Sequence, residues 1–283
     1  SLVEEKTRES RISQLMTMKK NGIKVSKIPD LSGMQTQLDK DFPWFSHVTK
    51  MFIESLIVRI HGASTFHLAP TLLLGDPGIG KTAYCCRLAE LIHIPFNVFG
   101  LGGSLSNQVL AGTERGWETA KPSLPLQMMM DHQIANPIIL LDEIDKAGGS
   151  ERNGHPHHTL LGLLEPGSAK KWFDPFLMGH VDMSLVNWIA TANSIAHLPR
   201  SLLSRFHVMR IEKPGIEHYP AIVWRTRMSF CKVNGLEQNI LPLFGEAEWQ
   251  WLEQFYITPR KLRQATEVLL SNLLSTSRNK MLH

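Results

Sequence analysis

Thr71-Leu72-Leu73-Leu74-Gly75-Asp76-Pro77-Gly78-Ile79-Gly80-Lys81-Thr82 is the stretch on which the reading of the fold turns. A short apolar run stops at a glycine, the pattern of a buried strand entering a turn. From Gly75 to Thr82 the turn fits G-x-x-x-x-G-K-[ST]. Glycines let such a backbone curl so that its N–H groups point inward at phosphate oxygens. Residues Ala83 to Ile92 read as a helix, which presents its positive end to the same phosphates. In that arrangement Asp76, Pro77, Gly78, Ile79 and Gly80 form the cradle. Lys81 reaches the outer phosphates, and the Thr82 hydroxyl ligates Mg²⁺.

Further strands are expected at Phe96–Phe99, Pro137–Leu141, Leu185–Ala190 and Val208–Ile211. Upstream, Val48, Met51, Phe52, Leu56 and Ile60 form a helical stripe. Strands alternating with helices predict a parallel sheet covered on both faces, an α/β fold. After Pro214-Gly215 the strand signals stop and helical patterns take over. The last helix is expected from Pro259 to Leu274, with Thr258 as its N-cap and Pro259 as its first residue. The outline is a polar leader over 1–40, an α/β domain over 41–213 and a helical domain over 214–283.

Two more strand ends carry polar groups. Ile138-Ile139-Leu140-Leu141 runs into Asp142 and Glu143, and ligands bind at the carboxyl ends of parallel strands. Asp142 suits a Mg²⁺ shell, and Glu143 suits orienting and polarising a water. Trp188-Ile189-Ala190-Thr191-Ala192 ends in Asn193, which could hold that water from the other side or touch a phosphate. An ordinary turn asparagine is the plainer reading of Asn193 alone.

Bulk properties narrow the rest. The chain has 283 residues, 43% of them hydrophobic, which suits a folded protein of one or two domains. No apolar run approaches the ~18–20 residues of a membrane span, and the first ten residues are too polar for a secretory signal. Cys85, Cys86 and Cys231 make an odd total with no Cys-x-x-Cys pair, so neither a disulfide framework nor a zinc site is expected. Reduced thiols and a cytoplasmic setting follow. The net charge of +4 is a modest excess, more often a solvated surface than a nucleic-acid face. His155, His157 and His158 could bind metal, but solvated loop histidines are the plainer reading.

The order of these elements resembles the AAA+ module of the Lon proteases. A phosphate loop precedes a strand ending Asp142-Glu143. Then follow a strand ending Thr191-Ala192-Asn193 and the segment Leu198-Pro199-Arg200-Ser201-Leu202-Leu203-Ser204-Arg205-Phe206. This looks like Walker A, Walker B, sensor 1 and arginine finger. Asn136 through Lys146, and Leu160-Leu161-Gly162-Leu163-Leu164-Glu165-Pro166, are worded much as in Lon. The resemblance covers roughly 41–275. It implies ATP as substrate, Mg²⁺ as cofactor and hydrolysis to ADP and phosphate. It implies a P-loop sheet domain followed by a small all-helical lid, and assembly into a ring, usually a hexamer. Arg205 matches the finger that acts on a neighbouring subunit's nucleotide, with Arg200 ranked second. Arg260 matches sensor 2, with Arg263 competing. Residues Phe42 to Phe45 fall where the family packs adenine, and Trp117 falls on the aromatic that grips substrate.

Glu118, next to Trp117, departs from the family's usual aliphatic. Little beyond a helical tail follows residue 274, so no peptidase activity is expected of this chain. The expected function is a protease-less ATPase that remodels another macromolecule, most simply protein, as a ring, with no membrane partner. The alternatives are a nucleic-acid motor or loader and a nucleotide-controlled scaffold.

Overall fold

Strand β1 (Thr71–Leu74) lies inside a five-stranded sheet with β2 (Phe96–Gly100), β3 (Ile138–Asp142), β6 (Asn187–Ala192) and β7 (His207–Arg210). The order is β2-β3-β6-β1-β7 and every pairing is parallel. The computed structural model describes residues 13–18, 20–102, 106–114, 120–148, 154–241, 243–254 and 258–281. Burial follows strand position. All of β1 and β6 is buried, as is β3 up to Leu141, whereas the edge strands β2 and β7 are largely open. Central parallel strands are covered on both faces, which is why they read as unbroken apolar runs. The sheet strands sit within a residue or two of their expected positions. The fourth, expected over Leu185–Ala190, starts and ends two residues late, at Asn187 and Ala192.

The chain divides into two compact units. The first comprises 1–31, 51–74 and 85–210 and contains the sheet. Its core joins Leu72, Leu74, Ile139, Leu141, Trp188 and Ala190 to helix residues such as Leu126, Met129, Leu160 and Leu163. A small antiparallel hairpin, β4 (Trp172–Asp174) with β5 (Gly179–Val181), was not foreseen in the sequence. Buried Asp174 shapes it by accepting N–H groups from Phe176 and Leu177 at 3.0 and 3.1 Å, and one from Ser123 at 3.1 Å. Three-residue strands carry too little alternation to stand out. The helix Pro156–Leu164 contains Gly162 because the Trp172 ring lies on it. A Cβ there would stand 3.0 Å from that ring.

Part of the polar N-terminal stretch is built into this unit. Met18 is buried in the same core, and Leu15 and Ile23 pack against it. The side chain of Asn136 accepts the Ser26 N–H at 2.8 Å and donates to the Ser26 and Phe66 carbonyls at 3.0 and 2.8 Å. It thus substitutes for a missing strand partner. Removing it leaves buried backbone groups unpaired, at about 1–3 kcal/mol each. Asn136→Ala is therefore expected to lose about 2–4 kcal/mol of unfolding free energy, read as a lower urea midpoint with the slope unchanged.

The second unit comprises 32–50, 75–84 and 211–283. The helix Tyr219–Asn234 packs on the helix Pro259–Met281. Buried Cys231, Leu241 and Leu270 form a small core between them, with Phe230, Leu236, Phe244 and Leu274 against it. Thr258 caps the last helix as expected, its Oγ1 accepting the Lys261 N–H at 3.2 Å. The helix Met34–Asp41, with Met34 and Leu38 buried, also belongs here. Two apolar residues four apart in a polar stretch were too sparse to announce it. Among the described residues no helix is long and apolar enough to cross a membrane.

Candidate active site

The phosphate loop leaves β1 at Gly75 and ends where the helix Lys81–Ile92 begins. Gly75 has no room for a side chain, since a Cβ there would lie 2.8 Å from the Ile211 carbonyl oxygen. Gly80 has φ +103, a region closed to residues with a Cβ. Within the curl, the Lys81 amine donates to the carbonyls of Gly75 and Asp76 at 2.6 and 3.0 Å. Lys81 is only 7% exposed. A charge so nearly removed from water acts strongly on any anion that reaches it. Thr82 follows in the first turn of the helix, where backbone N–H groups have no partner inside the helix.

Aromatic residues form the floor of this loop. Trp44 Nε1–H donates to the Ile79 carbonyl at 3.0 Å. An ideal Cβ on Gly80 would lie 3.6 Å from the Phe42 ring and 3.8 Å from that of Trp44. Phe45 stacks on Tyr84 with centroids 4.5 Å apart, and the Arg225 guanidinium lies 3.6 Å from the Phe42 centroid. Phe42 and Phe45 are fully buried, so their rings support the loop rather than offering an open face to a base. The sequence reading put the adenine near them; what the fold shows is a packing role. Arg260 comes to the same loop: a Cβ on Gly78 would lie 3.2 Å from its Cβ and 3.6 Å from its Nε. Arg263, one turn on, is instead within 3.5 Å of Glu267.

The two carboxylates stand in the other unit, at the end of β3. The register pairs Leu74 with Ala192 and Leu141 with Ala190, so the carboxyl ends of β1, β3 and β6 lie along one edge of the sheet. Asp142 Oδ1 accepts the Thr191 hydroxyl at 2.7 Å. Glu143 turns the chain sharply with φ 55 and ψ 51, a left-handed conformation uncommon for a side-chain-bearing residue. Its N–H donates to Thr191 Oγ1 at 2.9 Å, and its carboxylate meets Lys146 Nζ at 2.6 Å. Asn193 sits just past β6, where its N–H and that of Ser194 donate to Asp145 Oδ2 at 3.1 and 3.2 Å.

Arg205 follows the short helix Arg200–Leu203. Its guanidinium donates to the Ser201 carbonyl at 2.7 Å and pairs with Glu165 at 3.1 Å. The pairing holds a partly exposed cation in one orientation. His155 and His157 do structural work, whereas the His158 side chain is exposed. His155 Nδ1 accepts the His157 N–H at 3.2 Å, and buried His157 places Nε2 2.9 Å from the Ile144 carbonyl. Burial pushes the Cys85 thiol well above its ordinary pKa, which leaves it a packing residue rather than a nucleophile. Trp117 lies outside the described residues. The sequence reading had no role for Thr191, Asp145, Lys146 or Glu165. All four lie inside the quoted motifs, but the bonds of Thr191, Asp145 and Glu165 depend on which segments become neighbours in the fold.

The family model for the ATPase family associated with various cellular activities (AAA) matches residues 71–213, from the first residue of β1 to just past β7. The chain belongs to the AAA ATPase family. Among curated relatives, this AAA module is 33% identical over 190 residues to a Lon protease of Chlamydia trachomatis. The match takes in 67% of this chain and 23% of that protein. It is 33% identical over 218 residues to Lon protease 1 of Thermus thermophilus, with 76% and 27% covered. A mitochondrial Lon protease homolog of Arabidopsis thaliana matches at 34% over 183 residues, with 64% and 19% covered. The module is thus of Lon type, and it spans about a fifth to a quarter of the length of those relatives.

Proposed function

We propose that this AAA module is a Mg²⁺-dependent ATPase that works as a ring and spends hydrolysis on remodelling a protein substrate. The observation that carries the reading is the hydrolytic pair at the end of β3: Asp142 and Glu143 are both pinned by Thr191. The second unit supplies a glycine loop closed around a buried lysine. The donor set fits nucleotide phosphates, with a buried cation and a helix N-terminus. A hard cation takes oxygen ligands, and the Thr82 hydroxyl and the Asp142 carboxylate, each within its own unit, are groups of that kind.

In this reading Asp76, Pro77, Gly78, Ile79 and Gly80 wrap the phosphates, and Lys81 neutralises their outer oxygens. Mg²⁺, when bound, withdraws charge from the oxygens of the leaving phosphate. Glu143 accepts a hydrogen bond from the attacking water and orients it, which requires its carboxylate to leave Lys146. Asn193 steadies the water or the outer phosphate. Arg260 reads the occupied loop from the helical side. Arg205 supplies positive charge to the nucleotide of the next subunit, and release from Glu165 accompanies that engagement. The Lon relatives, named as proteases, support the protein substrate; the ring is what the resemblance to their module implies. The basic test is phosphate release with ATP, with and without Mg²⁺, alongside particle mass. Turnover without Mg²⁺, or in a strict monomer, would overturn this reading.

Arg205→Ala is expected to keep ATP affinity within a few-fold and lose turnover by roughly a hundredfold or more, as a charge delivered at the transition state should. Mixing it with Glu143→Gln protein makes the sharper measurement. Some interfaces in mixed rings then carry both Glu143 and Arg205, and phosphate release should partly return. Demonstrated subunit exchange without recovery would count against action in trans.

A further inference from the structure

Thr191, the penultimate residue of β6, is buried, 1% exposed. Its hydroxyl has one hydrogen to donate and lone pairs to accept with. Glu143 N–H can only donate, so at 2.9 Å Thr191 Oγ1 is the acceptor. The hydroxyl hydrogen is then directed at Asp142 Oδ1, 2.7 Å away. One side chain therefore makes directed bonds to both members of the acidic pair, to the carboxylate of the first and the backbone of the second.

The second bond falls where the chain is strained. Glu143 has φ 55, and left-handed backbone at such a residue persists only where neighbouring structure holds it. Turning Glu143 out of that conformation would redirect its Cβ and carboxylate. Asp145 braces the same junction from the other direction by accepting the Asn193 and Ser194 N–H groups. The ends of β3 and β6 are thus tied at both places, and Thr191 touches both Asp142 and Glu143.

We propose that Thr191 is a positioning residue for hydrolysis, its hydroxyl setting the orientation of the Asp142 carboxylate and the direction in which Glu143 leaves the chain. The inference rests on the reading of Asp142 as a metal ligand and Glu143 as the water-orienting carboxylate. It separates from simple satisfaction of a buried N–H by which quantity moves. A structural bond changes stability. A positioning bond changes turnover and Mg²⁺ dependence while nucleotide binding stands.

The test uses Thr191→Val, which keeps the shape and removes the hydroxyl, beside Thr191→Ser, which keeps the hydroxyl. Each is titrated with a fluorescent ATP analogue, which also reports folding, and assayed for phosphate release across Mg²⁺ concentrations. Thr191→Val is expected to bind nucleotide within about threefold of wild type and to lose kcat by roughly tenfold or more, since small displacements of reacting groups have large effects. Its half-saturating Mg²⁺ concentration should rise, and Thr191→Ser should recover most of the rate. If Thr191→Val fails to bind nucleotide through misfolding, Thr191→Ser and Thr191→Ala, compared at low temperature, carry the same contrast. Wild-type kcat and Mg²⁺ dependence in Thr191→Val, or a serine variant as slow as valine, would overturn the proposal. Glu143→Gln is run in parallel. If it turns over at the wild-type rate, the reading beneath the proposal falls with it. If it is inactive while Thr191→Val is unimpaired, only the role of Thr191 falls.

Discussion

Lys81→Ala should bind no ATP at concentrations that saturate the wild-type protein. The amine is 7% exposed and is held inside the loop by the carbonyls of Gly75 and Asp76. Bulk water screens it little, so its attraction for a phosphate is near the upper part of what a protein surface offers. Removing one partner of a desolvated ion pair costs about 3–5 kcal/mol, or about two to three and a half powers of ten in affinity. Titration calorimetry with ATP and Mg²⁺ measures it. A thermal melt of the same variant separates lost affinity from a collapsed loop, because alanine also leaves the two carbonyls without that donor. Unchanged affinity in a folded variant would remove the phosphate site from this loop.

Glu143→Gln should do the opposite, holding ATP within a few-fold of the wild-type affinity while phosphate release falls by roughly a hundredfold or more. Glutamine has almost the same shape, so the left-handed turn and its bond to Thr191 should survive. The amide, however, is a far weaker hydrogen-bond acceptor toward water than the carboxylate. The pair with Lys146 is about half exposed on both sides, so losing it has a small effect on stability. Single-turnover phosphate release and nucleotide titration on one preparation give both numbers. A variant that hydrolyses at the wild-type rate would show that another group orients the water.

Most of this molecule was legible in the chain. The sheet could be read because its central strands are covered on both faces, which demands unbroken apolar runs such as Leu72–Leu74 and Ile138–Leu141. The edge strand Phe96–Gly100 shows the limit of that signal. Asn97, Val98 and Gly100 are exposed, and only neighbouring elements marked it. Met18, Met34 and Leu38 were lost in a polar stretch because a helix that buries one or two residues needs no stripe. The hairpin 172–181 was lost because Asp174 organises it through backbone N–H groups, and such bonds leave no periodic trace.

The sequence by itself determined the course of the loop from Gly75 to Thr82. Gly75, Gly80 and Lys81 are demanded by backbone geometry and charge within eight consecutive residues, so local spacing carries the information. It likewise determined that Asp142 and Glu143 end a buried strand. What only the tertiary structure decided is which groups orient them. Thr191 is nearly fifty residues from Asp142 in the chain. It reaches the pair because β6 lies beside β3, although three helices and two strands separate them in sequence order. The same holds for Asp145 on the Asn193 turn, Glu165 on Arg205 and Arg260 against Gly78. Each is a contact between residues far apart along the chain. Hydrogen bonds act over about 3 Å, and only the folded order of strands and helices brings such atoms that close.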